Sequence, residues 1–155
     1  MTKPVYLRIT TVPESLEILL EGQPEFLNEH GLDVHLASSG ERPKRLQNFK
    51  FYSIPFTRTI NPLADLKALL SIIKVIRNIR PRIIHSHTPK AGLISMLAGR
   101  FEGTKVRLHT VAGLPQDTAR GITKTLLNMT EFITYACAHK IYFNSSRQME
   151  SQIKA

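Results

Sequence analysis

The chain reads as an α/β protein, a three-layer α/β/α sandwich around a mostly parallel sheet of about six strands. Three observations predict this. Short runs rich in β-branched and aromatic residues alternate with longer stretches of helical period, as βαβ units require. Successive strands recur at roughly 20- to 30-residue spacing, room for a crossover helix between parallel strands. The 155 residues suffice for one ordinary domain with its own core, and no repeat, low-complexity segment or linker divides them.

The elements follow in order. Val5–Thr10 is a short first strand. Pro13-Glu14-Ser15 opens a helix, with proline tolerated near the start and an acid favoured in the first turn. Leu16, Leu19, Leu20, Phe26 and Leu27 give it an apolar stripe, Pro24 inside the stripe predicts a kink or break, and Gly31 stops it. Asp33–Ala37 is a second strand, Ser38–Lys50 a polar loop carrying Arg42, Lys44 and Arg45, and Phe51–Ile54 a third strand ended by Pro55. Asn61-Pro62 marks a helix start, cap then first-turn proline. Its expected inward face is Leu63, Leu66, Leu70, Ile73 and Ile76 or Val75, with Lys67, Lys74 and Arg77 outward. Arg82–Ser86 is the fourth strand, Pro89–Arg100 a helix, and Lys105–His109 the fifth strand. Ile122–His139 is a helix expected to turn Ile122, Leu126, Met129, Ile133 and Cys137 inward, and Lys140–Phe143 is the sixth strand. Asn144-Ser145-Ser146 caps a last helix that the chain barely begins.

Composition narrows the function. There are 21 Lys and Arg against 12 Asp and Glu, a formal charge of +9. That balance suits either an anionic partner or a soluble domain that is simply basic. The lone Cys137 rules out an internal disulfide framework and a multi-cysteine zinc site, and reads as a small core residue. The N-terminus has no apolar signal-peptide core, and no run approaches the roughly 18 apolar residues that span a bilayer. The expectation is a cytoplasmic protein whose membrane contact, if any, is peripheral.

The chemistry concentrates in Arg82–Leu114. Two strands end in histidine-threonine corners, His85-Ser-His87-Thr88 and His109-Thr110, where open α/β sheets bind ligands. His85 and His87 share a strand face and could hold one metal, but no Asp, Glu or Cys completes a ligand set, so no metal is expected. Thr88-Pro89-Lys90-Ala91-Gly92 opens a helix whose free N–H groups and Lys90 favour an anion; equally it can be an ordinary helix start. Neither phosphate-binding glycine motif is present. His109 can donate to a sugar hydroxyl or phosphate oxygen, or can be a satisfied structural residue. No nucleophile-base pair or carboxylate pair is legible, and Asp117 and Glu131 stand isolated.

At these residues the chain resembles a known family. HSHTPKAGLISMLAGR, then VRLHTVAGLP, then TYACAHKIYFNS look like the N-terminal domain of family 4 glycosyltransferases, nearest those that build bacterial capsule and O-antigen polysaccharides. The opening LRITTVPESLEILLEGQPEFLNEHGLDV fits the same group.

The resemblance implies the Rossmann-like N-terminal half of a GT-B fold across residues 1–155. In such enzymes two domains face each other across a cleft, and a sugar passes with retention from a nucleotide-diphosphate donor without metal or other cofactor. The C-terminal nucleotide-sugar domain is absent from this chain, which is expected to be inactive alone. His109 matches the strand-end histidine that aids catalysis. His85, His87, Thr88, Lys90, Thr110 and Gly113 match cleft residues that bind substrate. Thr10, Thr11 and Val12 match the loop after the first strand, where many relatives carry paired glycines against donor phosphate. The implied acceptor is a saccharide, often polyprenyl-diphosphate-linked, which gives Arg42, Lys44, Arg45, Lys67, Lys74 and Arg77 an anionic membrane surface to meet. The alternatives are a subunit that completes a transferase cleft in trans, and a basic nucleotide- or nucleic-acid-binding protein. No aromatic-rich basic strand supports nucleic acid.

Overall fold

A computed structural model of the chain describes residues 2–112, 120–146 and 149–150. Six strands form one sheet: β1 (Val5–Ile9), β2 (Asp33–Ser38), β3 (Lys50–Ser53), β4 (Ile83–His87), β5 (Val106–Val111) and β6 (Lys140–Phe143). Their spatial order is β3-β2-β1-β4-β5-β6, and every pairing is parallel. The order reverses between β1 and β4, the switch point at which such sheets open a crevice.

Helices cover both faces. α1 (Pro13–Ile18) and α2 (Gln23–Glu29), with a 3₁₀ turn at Lys44–Leu46, supply Leu16, Leu27 and Leu46 to a cluster with Tyr6, Val34 and Leu36. α3 (Pro62–Ile79), α4 (Pro89–Phe101) and α5 (Gly121–Cys137) cover the other face, around Leu7, Ile9, Ile84, Ile72, Met96 and Cys137. Cys137 is therefore a core residue, buried as its position in the sequence suggested. The sheet was expected to be mostly parallel; among the described residues it is wholly so.

The helix starts follow their sequence signals. Asn61 caps α3 by accepting from the Ala64 N–H at 3.1 Å, and Pro62 takes the first turn. The expected break near Pro24 is real: α1 stops at Ile18, Gly22 turns left-handed at φ 74°, and Pro24 sits in the first turn of α2. A glycine at that φ avoids the Cβ clash any other L-residue would meet.

The expected helix faces need correction. In α3 the buried residues are Ala68, Ile72 and Ile76, whereas Leu63, Leu66 and Leu70 are exposed. Both sets have helical spacing, and the sheet takes the one with alanine because a small residue lets the helix axis come close. In α5, Ile122 and Met129 are exposed; Thr134 and Cys137 face the core, with Ile133 packed beside them. Leu19 and Phe26 of the first stripe also lie on the surface.

A buried arginine closes the end of the sheet opposite the switch point. Arg107 donates to the carbonyls of Cys137 (2.6 Å) and Thr104 (2.7 Å), and its own N–H donates to His139 Nδ1 at 3.1 Å. Its guanidinium thus ties β5 to the α5–β6 connection through neutral acceptors.

Ile73 and Ile76 lie inward as expected, and the shift of the rest of the α3 core face from its leucines to Ala68 and Ile72 is directly measurable. Ile72→Ala should cost about 2–5 kcal/mol in urea unfolding, the range for a truncated core side chain. Leu66→Ala should cost well under about 1 kcal/mol, as surface positions do. Equal losses would restore the leucine face to the core.

Candidate functional site

The loop after β1 and the start of α4 meet at the switch point. Thr11 donates its backbone N–H to Thr88 Oγ1 at 3.2 Å, and the two hydroxyls lie 2.7 Å apart. Thr10 Oγ1 donates to the Val12 carbonyl at 2.8 Å, tightening the same turn. Thr88 has φ 74° and ψ 144°, a conformation a β-branched residue adopts only under constraint. The sequence brought Thr10, Thr11 and Thr88 forward as cleft residues, and the fold places them together. Gly113 and Asp117 lie outside the described residues.

The histidines of the two strand-end corners are divided by the sheet. Ser86, not His85 or His87, pairs with His109 across β4 and β5. Partners in a parallel pair share a face, so His109 points to the α4 side while His85 and His87 point to the opposite side. His109 is 4% exposed; its Nδ1 lies 2.9 Å from Ser86 Oγ, and its ring fits against Gly92 of α4. A Cβ at Gly92 would fall 2.5 Å from His109 Cε1, so the glycine makes room for this ring. In this position His109 presents no open face to a cleft.

On the other side lies a polar cluster that the sequence reading missed. Arg8, 2% exposed near the C-terminal end of β1, donates to the Tyr6 hydroxyl (2.6 Å), to His85 Nδ1 (2.5 Å) and to Gln23 Oε1. Since Arg8 can only donate, His85 accepts at Nδ1 and its Nε2 carries the proton, directed at Thr110 Oγ1 2.7 Å away. His85 and His87 stack with ring centroids 4.6 Å apart. Arg8 Nε and His87 Nε2 are buried with no hydrogen-bond partner. The signal was present: a charged residue at an inward position of VYLRI is an anomaly in a strand buried on both faces.

These surroundings hold the histidines neutral. Burial first, and then the Arg8 charge, push His85 down to about 2 and His87 down to about 3. Burial pushes His109 down to about 4 against an opposing bond to Ser86. Burial also raises the Tyr6 hydroxyl to about 12, so it remains protonated. The Arg8 guanidinium is lowered by the same burial.

Lys90 has partners within the chain. Its ammonium donates to Asp65 at 2.8 Å, to Thr57 Oγ1 at 3.1 Å and to the Thr59 carbonyl. It pins the 57–59 segment to α3 and α4, with its charge already met. The six surface cations do not form one patch either. Arg42, Lys44 and Arg45 lie on the α1–α2 side, and Lys67, Lys74 and Arg77 on the opposite layer. Arg45 pairs with Glu21 at 2.7 Å, and Arg77 holds Glu102 through two bonds of 2.9 Å. Among the described residues no group of three or more His, Cys, Asp or Glu is placed to hold a metal, and no helix is long and apolar enough to cross a membrane.

Comparison with known proteins gives this geometry a family. The profile described as "Glycosyl transferase 4-like" matches residues 9–146. The capsular polysaccharide biosynthesis glycosyltransferase CapM of Staphylococcus aureus is 38% identical over 134 residues, covering 86% of this chain and 35% of that protein. An Escherichia coli UDP-Gal:alpha-D-GlcNAc-diphosphoundecaprenol alpha-1,3-galactosyltransferase is 27% identical over 105 residues, covering 67% and 27% respectively. The chain thus spans about a third of the curated relatives it matches. Among solved structures, a UDP-N-acetylglucosamine 2-epimerase from Listeria monocytogenes superposes with TM-score 0.70 at 18% identity, over 99% of this chain and 42% of that one. Acinetobacter baumannii MurG does so with TM-score 0.58 at 16% identity, over 90% and 41%. At such identities the structures show a shared fold.

Two outcomes test the site's packing and charge. Gly92→Ala should lower stability by about 1–3 kcal/mol, because the His109 ring has to shift for the added methyl; an unchanged unfolding midpoint would refute the close fit. The histidines also set an acid limit. Unfolded histidines titrate near 6.5, whereas His109, His87 and His85 stay neutral down to about 4, 3 and 2. The unfolded state therefore binds more protons below about pH 6.5, and stability falls as pH falls through that window. The steepest loss should lie between about pH 6.5 and 4, where all three sites contribute up to about 1.4 kcal/mol per pH unit each. Urea unfolding at several pH values reads this slope, and His109→Gln should reduce it.

Proposed function

The chain belongs to the glycosyl transferase 4-like family, and from that premise we propose that it is the acceptor-side, N-terminal domain of a surface-polysaccharide glycosyltransferase. The observation that carries the reading is the polar end of the sheet at the switch point. Thr10, Thr11 and Thr88 gather there beside the Arg8–His85–Thr110 cluster, on a chain whose match covers 35% of the CapM relative. One Rossmann-like domain offers one wall of a cleft; a donor sugar and its acceptor need two.

In this reading the second wall carries the nucleotide-diphosphate sugar. The wall described here receives a saccharide acceptor, polyprenyl-diphosphate-linked as the E. coli relative's name states for its own substrate. Transfer proceeds with retention and needs no metal. Neutral histidines and threonine hydroxyls suit a sugar, because each offers both a donor and an acceptor to its hydroxyls. His109 contributes by position: through Ser86 and Gly92 it fixes how the start of α4 sits on β4. The protein works at the cytoplasmic face of the membrane, where lipid-linked acceptors are presented.

Incubated with nucleotide-diphosphate sugars and a polyprenyl-diphosphate-linked saccharide, the 155-residue chain should yield no elongated product by mass spectrometry. It should still bind the acceptor, seen as a saturable rise in melting temperature. Turnover by this chain alone, or no acceptor binding at all, would sink the reading.

A further inference from the structure

Two arginines are buried in this sheet, and they differ in how they are satisfied. Arg107 spends its donors on carbonyls and a ring nitrogen and leaves no buried nitrogen orphaned. Arg8 is more deeply buried, yet its Nε has no partner, and no carboxylate among the described residues pairs with it. The neighbouring His87, 5% exposed, leaves its Nε2 unpartnered as well. A buried cation without a counter-charge is costly, and so is a buried donor without an acceptor. Two such defects lie in one cluster, around a charge that the described chain does not neutralise.

Among the described residues the cluster has a partly exposed margin. α3, α4 and α5 all pack on the other face of the sheet. The margin on this side is formed by Gln23, which is exposed, and by Tyr142, 45% exposed with its ring 5.8 Å from that of His85. We propose that the Arg8–His87 cluster is a binding subsite for a phosphate oxyanion, with Arg8 Nε as the charged donor and His87 Nε2 as a neutral one. A guanidinium N–H directed at a phosphate oxygen makes a charge-assisted bond, stronger for being formed away from water. Tyr6 and His85 engage Nη1 and Gln23 engages Nη2, which holds the Arg8 side chain in place and leaves Nε to the ligand. Only the carrier of that phosphate rests on the transferase reading. Both a nucleoside diphosphate and a prenyl diphosphate present the same oxyanion.

The test is calorimetric titration of the 155-residue chain with inorganic pyrophosphate, then with UDP and with farnesyl diphosphate. The wild type should bind pyrophosphate at one saturable site. Arg8→Met, which replaces the buried charge with an apolar chain of similar length, should fold at least as stably and bind about tenfold or more weakly, the usual loss of a charged hydrogen bond. Arg8→Lys should fall between the two and supplies the comparison if the methionine variant does not fold. Lys105→Gln removes the same charge from an exposed position at the opposite end of the sheet and should leave binding unchanged, which controls for the +9 background. An Arg8-dependent gain of UDP or of farnesyl diphosphate over pyrophosphate identifies the carrier. No saturable binding, or binding equal in wild type and Arg8→Met, would overturn the proposal. Arg8-dependent pyrophosphate binding without acceptor binding would instead remove the transferase reading and keep the site.

Discussion

The parallel pairing of β1 with β4 is the constraint on which the rest of this molecule depends. Its register sets Arg8 opposite His85 and Ile9 opposite Ser86. It therefore decides which side chains meet at the centre of the sheet and which loops meet at its end. The loop after β1 must fold over the start of α4, which brings Thr11 onto Thr88. That contact in turn holds Thr88 in a backbone conformation its side chain disfavours. Because the chain winds away in opposite directions from β1 and β4, no helix among the described residues covers the seam between their ends. The crevice is a consequence of topology, and the polar residues lining it are what the sequence adds.

Much of the fold could be read from the sequence because alternation of strand and helix is a strong local signal. Six strands and the larger helices lie within a few residues of their expected places, and the cap at Asn61 is the one its residue type suggests. Helix faces were less legible. α3 carries two apolar arcs, and periodicity alone favours the one with the larger residues, Leu63, Leu66 and Leu70. Packing onto a sheet favours the one with Ala68, since close approach of the helix gains contacts along its whole length. This preference is invisible until the partner surface is known.

The site was legible in part for a related reason. Within one strand, parity says which side chains share a face, so His85 and His87 belong together on sequence alone. Between strands, parity is meaningless without register. A shift of one residue sends every side chain to the other layer, and the observed register matches His109 with Ser86. Two corners that looked adjacent in the sequence thus became two chambers, one under α4 and one facing away from it. The Lys90 ion pair was hidden for a different reason: its counter-ion, Asp65, comes from another helix 25 positions away in the chain.

The two chambers have opposite chemistry despite similar residues. Beneath α4, His109 packs against Ser86, Gly92 and the Tyr135 ring. On the far side, a full positive charge sits among neutral rings and leaves nitrogens unsatisfied. A protein core tolerates the first arrangement without help. It tolerates the second only where something outside the described chain supplies negative charge, or where stability elsewhere offsets the cost. Arg107 shows that this sequence can satisfy a buried guanidinium with its own carbonyls when the role is structural. That Arg8 is not so satisfied locates the function of β1 in its side chain rather than in its packing. It also explains why a strand otherwise built of valine, tyrosine, leucine and isoleucine carries an arginine at its fourth position.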